Sequence, residues 1–132
     1  MDRLLLFSDD ETQFTITKRV IDGKYELIWR TYYSLEKNEY PSADAVVMHF
    51  SREKTKKNIF EPIIRVKGKL GSSIPILAII EGGSAQDIFS ALGIGVYDYI
   101  ETTDNLQKYR KKIEDIFLWS WYIKKYDSKE KR

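Results

Sequence analysis

Asp44-Ala45-Val46-Val47-Met48-His49-Phe50 is the stretch on which the reading of this chain turns. An acidic residue opens a near-continuous apolar run that is too short for a buried helix and carries the β-branched pair Val46 and Val47. That pattern predicts a strand buried on both faces, the kind found in the middle of a parallel sheet. In open parallel sheets, sites lie just past the carboxyl ends of the strands. Whatever chemistry the chain has is therefore expected around His49.

Outward from this strand, strands and helices alternate. Arg3 to Ser8 is a first strand, ending in Asp9-Asp10-Glu11. Glu11 to Ile21 spaces Phe14, Ile16, Val20 and Ile21 as a helix does, with Asp22-Gly23 as the turn behind it. Tyr25 to Trp29 is a second strand, and Thr31 is placed to cap a short helix that stops before Pro41. After Phe50, the polar and basic segment from Ser51 to Lys57 reads as a loop. A helix begins at Asn58 or Glu61, with Pro62 in its first turn. Ile74 to Ile80 is a fourth strand, followed by Glu81-Gly82-Gly83. Ser84 and Asp87 have the spacing of a capping box opening a helix through Leu92. Val96 to Ile100 is a fifth strand, and Thr103 or Asp104 caps a last helix running to about Lys125, with a polar tail from about residue 126. Five such alternations without internal repeats predict one doubly wound α/β domain over residues 1–132.

Composition agrees with that size. A hydrophobic content of 42% suffices for a single core. The net charge of +2 points to neither nucleic acid nor an anionic membrane. The absence of cysteine excludes disulfides, thiolate catalysis and Cys-ligated metals. Leu4 to Phe7 is far shorter than a signal-peptide core or a membrane span, so a soluble cytoplasmic protein is expected.

Over nearly its whole length the chain resembles the receiver domains of two-component response regulators. Leu5 to Glu11 is similar to the family's first strand and acidic pair. Asp44 to His49 is similar to its third strand, and Ala91-Leu92-Gly93-Ile94-Gly95-Val96-Tyr97-Asp98-Tyr99 to the segment leading through strand five, with Tyr99 as the switch aromatic. The resemblance implies a flavodoxin-like five-stranded parallel sheet in the order 2-1-3-4-5. It also implies a phosphoryl site that three positions have lost. His49 stands at the phosphoacceptor aspartate, Ile80 at the Thr or Ser that ends strand four, and Thr102 at the lysine after strand five. In the family, a carboxylate nucleophile and the acidic pair hold Mg²⁺ while a hydroxyl and an ammonium bind the phosphoryl oxygens. Here Asp9 and Asp10 remain. The resemblance thus implies a pseudo-receiver that is not an enzyme and needs no cofactor.

Two other readings start from the same residues. Asp9, Asp10 and His49 are a ligand set suited to Zn²⁺, Mn²⁺ or Fe²⁺, which would make the chain a metal-binding receiver or a small metal-dependent enzyme, with Mg²⁺ on the two aspartates as the lesser form. Alternatively, phosphorylation falls on a non-standard residue. Against these stands the plain reading of His49 as an imidazole hydrogen-bonded to a carboxylate near Asp9 and Asp10, and of the two aspartates as helix caps.

Two surfaces complete the reading. Arg52, Lys54, Lys56, Lys57, Arg65, Lys67 and Lys69 are mostly lysines split between a loop and a helix, which suits a solvated face better than a nucleic-acid site. In the last helix, Leu106, Tyr109, Ile113, Ile116, Phe117 and Ser120 form one inward stripe, whereas Leu118, Trp119, Trp121, Tyr122 and Ile123 fall off it. Trp and Tyr are the types enriched in interface anchors. A protein partner or a homodimer is expected on the face made by the fourth helix, the fifth strand and the last helix, with Phe89, Tyr97, Tyr99 and Lys108 on or near it. The function expected is that of a stand-alone, phosphorylation-independent interaction module in signal transduction.

Overall fold

A computed structural model of the chain describes residues 1–130, with side chains through Tyr126. Five parallel strands, β1 (Arg3–Phe7), β2 (Glu26–Arg30), β3 (Ala45–Phe50), β4 (Ile76–Ile80) and β5 (Asp98–Ile100), form one sheet in the order β2-β1-β3-β4-β5. The expected order is met. The central strand is buried at every position, as its unbroken apolar run requires.

Six helices among the described residues cover the two faces: α1 (Glu11–Ile21), α2 (Tyr32–Glu36), α3 (Arg52–Lys57), α4 (Phe60–Leu70), α5 (Ala85–Gly93) and α6 (Leu106–Glu130). Strand residues alternate between them. Leu4, Leu6, Ala45, Val47, Leu77 and Ile79 pack under α1 and α6 with Val20, Tyr109, Ile113 and Ile116. Leu5, Phe7, Val46, Met48, Phe50, Ile76 and Ala78 pack on the other face with Tyr32, Leu35, Ile63, Val66 and Ala91. This period of two sets which side chains can meet at the carboxyl edge.

Several boundaries differ from expectation. The segment after β3 is a helix rather than a loop, because the Ser51 hydroxyl accepts the Lys54 N–H and caps it. Asn58 accepts the N–H groups of Phe60 and Glu61 and starts α4. Thr31 precedes α2 but makes no side-chain cap; Asp9 supplies it from across the sheet edge. Neither Thr103 nor Asp104 caps α6. Asn105 accepts the Lys108 N–H, and Thr103 is buried and donates to Gln13 Oε1. The Ser84–Asp87 capping box forms as expected. β5 is three residues, shorter than the apolar run suggests. α6 continues through Glu130, past the expected end at Lys125, so of the polar tail only residues 131–132 lie outside the described residues.

At the amino ends of the strands, the Asp44 carboxylate accepts the Arg3 N–H at 2.7 Å and pairs with Lys124, tying α6 to the sheet. Burial alone would raise the Asp44 pKa. The hydrogen bonds and charges of Lys124 and Arg3 outweigh it and hold the group below the ordinary carboxylate range.

Candidate functional site

Three adjacent strands end in a polar row. Ser8 lies two residues beyond Leu6, His49 two beyond Val47, and Glu81 two beyond Ile79, so all three side chains fall on the α1–α6 face of the sheet. Neighbouring strands are about 4.8 Å apart, which lets side chains of this length meet. Ser8 Oγ lies 2.8 Å from His49 Nδ1, and His49 Nε2 lies 2.7 Å from Glu81 Oε2. His49 is thus engaged on both ring nitrogens, Nε2 with the Glu81 carboxylate and Nδ1 with the Ser8 hydroxyl, which also lies 3.3 Å from the Asp10 carbonyl, to which it can donate. Ser8 Oγ in turn accepts the Asp10 N–H at 3.0 Å. Gly82, at φ +68°, then turns the chain away from the row.

A serine, a histidine and a carboxylate in line have the composition of a nucleophilic relay. The geometry rules out that use. Ser8 is wholly buried and His49 is 4% exposed, so no substrate carbonyl can approach the hydroxyl. What the row does is satisfy a buried imidazole on both sides, which stiffens the sheet edge.

His49 was expected beside Asp9 and Asp10. Its ring nitrogens instead engage Ser8 and Glu81, and the carboxylate of the expected hydrogen bond is Glu81. Asp9 Oδ1 accepts the Tyr32 N–H at 2.9 Å, and its Oδ2 lies 3.3 Å from Lys54 Nζ. Asp10 accepts the Thr12 N–H at 2.9 Å and caps α1. The pair thus caps two different helices. Tyr32 joins the two halves of the site: its hydroxyl donates to the His49 carbonyl, and Lys54 lies over its ring at 4.4 Å. Burial, then the charge of Asp9, pushes the Tyr32 phenol well above its ordinary pKa, so it stays a donor.

This donor set does not fit Mg²⁺. The cation seeks several hard oxygens around an open position, whereas here an ammonium occupies one aspartate and a helix N-terminus takes the other. Among the described residues, no three His, Asp or Glu side chains gather into a group that could hold a metal ion, so the cluster of Asp9, Asp10 and His49 does not form. Ile80 is fully buried and apolar. The Thr102 hydroxyl accepts the Asp104 N–H and carries no charge toward Asp9. Ser8, Glu81 and Lys54 are the site residues that sequence reasoning missed. Strand order and period two together were enough to find the first two.

On the predicted docking face, Phe89 is 71% and Tyr97 41% exposed. Tyr99 is half-buried and lines a shallow groove with Lys108. Trp119 stacks on Tyr97 at 5.6 Å between centroids, and Tyr122 contacts the rings of Trp121 and Tyr126. Ile123 is half-buried and turns toward Asp44 and Ser120, leaving the exposed set. Leu106, placed on the inward stripe, is 37% exposed. Four members of the basic cluster have local partners: Lys54 on Asp9, Arg65 on Glu61, Lys67 on the Ser72 carbonyl and Lys69 on the carbonyls of Asn38 and Tyr40. No described helix is long and apolar enough to cross a membrane.

No family model matches this sequence. No curated protein matches it either. Solved structures do. The chain is similar to the adenylate cyclase from Rhodopirellula baltica, with 12% identity and a TM-score of 0.80 over 99% of this chain and 98% of that one. It is similar to the non-phosphorylated HemR receiver domain from Leptospira biflexa, with 23% identity and a TM-score of 0.74 over 89% and 94%. A third is HP1043, an orphan response regulator of H. pylori, with 22% identity and a TM-score of 0.70 over 88% and 96%. At these identities the likeness is one of fold, and it agrees with the strand order: the chain has the flavodoxin-like receiver fold.

Proposed function

We propose that this chain is a pseudo-receiver, a signal-transduction module that acts through protein–protein contacts and without phosphorylation. One observation carries the reading. Every group that would take part in phosphoryl chemistry at the carboxyl edge is either replaced or consumed by an internal partner: His49 by Ser8 and Glu81, Asp9 by Lys54 and the Tyr32 N–H, Asp10 by the start of α1. Phosphoryl transfer depends on a free nucleophile and on cations aimed at the transferring oxygens. A buried, doubly bonded imidazole with two aspartates engaged in helix caps and an ion pair supplies neither. Without a ligand that binds two conformations differently, the pocket has nothing with which to shift a population. Function then passes to the surface, where Phe89, Tyr97 and the aromatic end of α6 are exposed.

The test is a backbone amide NMR spectrum titrated with Mg²⁺ and then with beryllofluoride, an aspartyl-phosphate mimic, alongside a parallel titration with Zn²⁺. The expected result is no specific shift at Asp9, Asp10, His49 or Tyr99. Saturable shifts spreading from the pocket to Tyr99 and α6 on beryllofluoride would defeat the proposal. Shifts confined to Asp9, Asp10 and His49 on metal alone would replace it with a metal site.

A further inference from the structure

The carboxyl half of α6 is apolar around most of its circumference but packed on one side only. Ser120 is buried and marks the face turned to the sheet, with the half-buried Ile123 beside it. At about 100° per residue, Leu118, Tyr122 and Lys125 stand on the opposite face, flanked by Trp121 on one side and by Trp119 and Tyr126 on the other. All six are exposed, and Tyr97 adjoins them through its stack on Trp119. A helix apolar on both faces is one whose outer face also leaves water.

The make-up of that outer face identifies what covers it. Four of its five apolar residues are Trp or Tyr, and only Leu118 is aliphatic. The core of a protein interface also favours such rings, but it is depleted in lysine. Here a lysine is set among them, Lys125 lying over the Trp121 ring at 5.0 Å. Rings with a polar edge beside long cationic side chains are the composition of a helix lying in the headgroup layer of a membrane. There the rings sit between hydrocarbon and water, and the ammonium reaches lipid phosphate. A convex helical ridge needs no matching groove to lie on such a surface.

Charge gives a second argument. Residues 125–132 hold four of the chain's 22 cations, Lys125, Lys129, Lys131 and Arg132, and two of its 20 acids, Asp127 and Glu130. The residues before them are therefore electrically balanced, and the whole net charge of +2 falls in the segment that continues from the aromatic patch. Ion pairs earlier in α6 cancel, Lys124 being held by Asp44 and Lys111 by Asp115. A small overall charge thus conceals a basic end, and such ends are drawn to anionic lipid.

We infer that the outer face of α6 docks on an anionic phospholipid surface, with Leu118, Trp119, Trp121, Tyr122 and Tyr126 entering the headgroup layer and Lys125 and the basic residues after it meeting lipid phosphates. This goes beyond the proposed function and does not rest on it: it takes the end of α6 and leaves Phe89, on α5, for a protein partner.

Co-sedimentation of the full chain with phosphatidylcholine vesicles, with and without about 30% phosphatidylglycerol, tests it. The expected result is binding to the anionic vesicles with a blue shift of tryptophan emission, at least about tenfold weaker partition to phosphatidylcholine alone, and release as NaCl rises from about 0.1 M to about 0.5 M. The double variant W121A/Y122A should weaken partition at least about tenfold with an unchanged circular dichroism spectrum, and Lys125→Glu should weaken it on the anionic vesicles alone. Ile64→Ala, which removes an exposed apolar side chain from α4, should bind as the parent does. No binding at about 5 mM lipid, equal binding to both vesicles, or binding that W121A/Y122A leaves intact would each overturn the inference. If vesicles fail to bind and sedimentation velocity shows instead a dimer that W121A/Y122A dissolves, the patch belongs to a second copy. Beryllofluoride shifts reaching Tyr99 would defeat the proposed function and leave the vesicle result untouched, so the two proposals fail separately.

Discussion

His49 is a buried imidazole at the carboxyl edge of the sheet, engaged on both sides of its ring. Buried between Ser8 and Glu81, it is held by one hydrogen bond on each ring nitrogen. Replacing it with Leu removes both buried hydrogen bonds, leaving the Ser8 hydroxyl only the Asp10 backbone as a partner, and should cost about 1–3 kcal/mol, roughly 5–10 °C in Tm. Glu81→Gln keeps an acceptor for Nε2–H and should cost distinctly less. Thermal melts of the two variants decide it, and equal losses would contradict a hydrogen bond from His49 to residue 81 that survives loss of the carboxylate's charge. Asp44 gives a pH signature. Its folded pKa is depressed, so its contribution is complete above the unfolded value near 3.9 and is lost as pH falls through the lower folded value. Asp44→Asn should therefore melt about 2–5 °C below the parent at pH 7, and the gap should close on acidification below about pH 4. At this scale the sequence was half legible. It located His49 at the edge of the sheet, but the neighbours it proposed were the nearest acids in the strand-one motif. Glu81, just past the end of the next strand over, was passed by because it was placed outside that strand and given no role.

Among the elements, α3 is the one that composition concealed. Six residues with four cations look like a loop, and a single hydroxyl, Ser51, makes them a helix. That helix delivers Lys54 to Asp9 and to the Tyr32 ring. Ser51→Ala should cost about 1 kcal/mol, and hydrogen exchange should accelerate over residues 52–58 while β3 stays protected. Lys54→Met should leave that exchange slow, because it removes the ion pair and not the cap. The long elements were legible for the opposite reason: β3 and β4 are buried on both faces and read as unbroken apolar runs, and α1 and the inward stripe of α6 keep their helical period. Caps supplied from across the fold, such as Asp9 on α2, leave no local trace in the sequence.

For the whole molecule, alternation of strand and helix was sufficient to predict a doubly wound sheet, and the order β2-β1-β3-β4-β5 agrees with it. Legible too were the altered residues at the carboxyl edge and the exposed aromatics of the last helix; not legible were the partners that His49 takes. At the carboxyl edge, where ligands bind in folds of this class, His49 is enclosed by internal hydrogen bonds while Asp9 and Asp10 stay exposed, and the largest aromatic exposure is on α6. The same sheet also limits how anything can attach. Its two borders are β2, which carries Glu26 and Arg30, and β5, which offers three residues. Short or charged borders are poor templates for an added strand. A visiting peptide therefore finds little main chain to zip onto, and a partner of this molecule would be held by side-chain shape and charge, which point mutations can retune without disturbing a ladder.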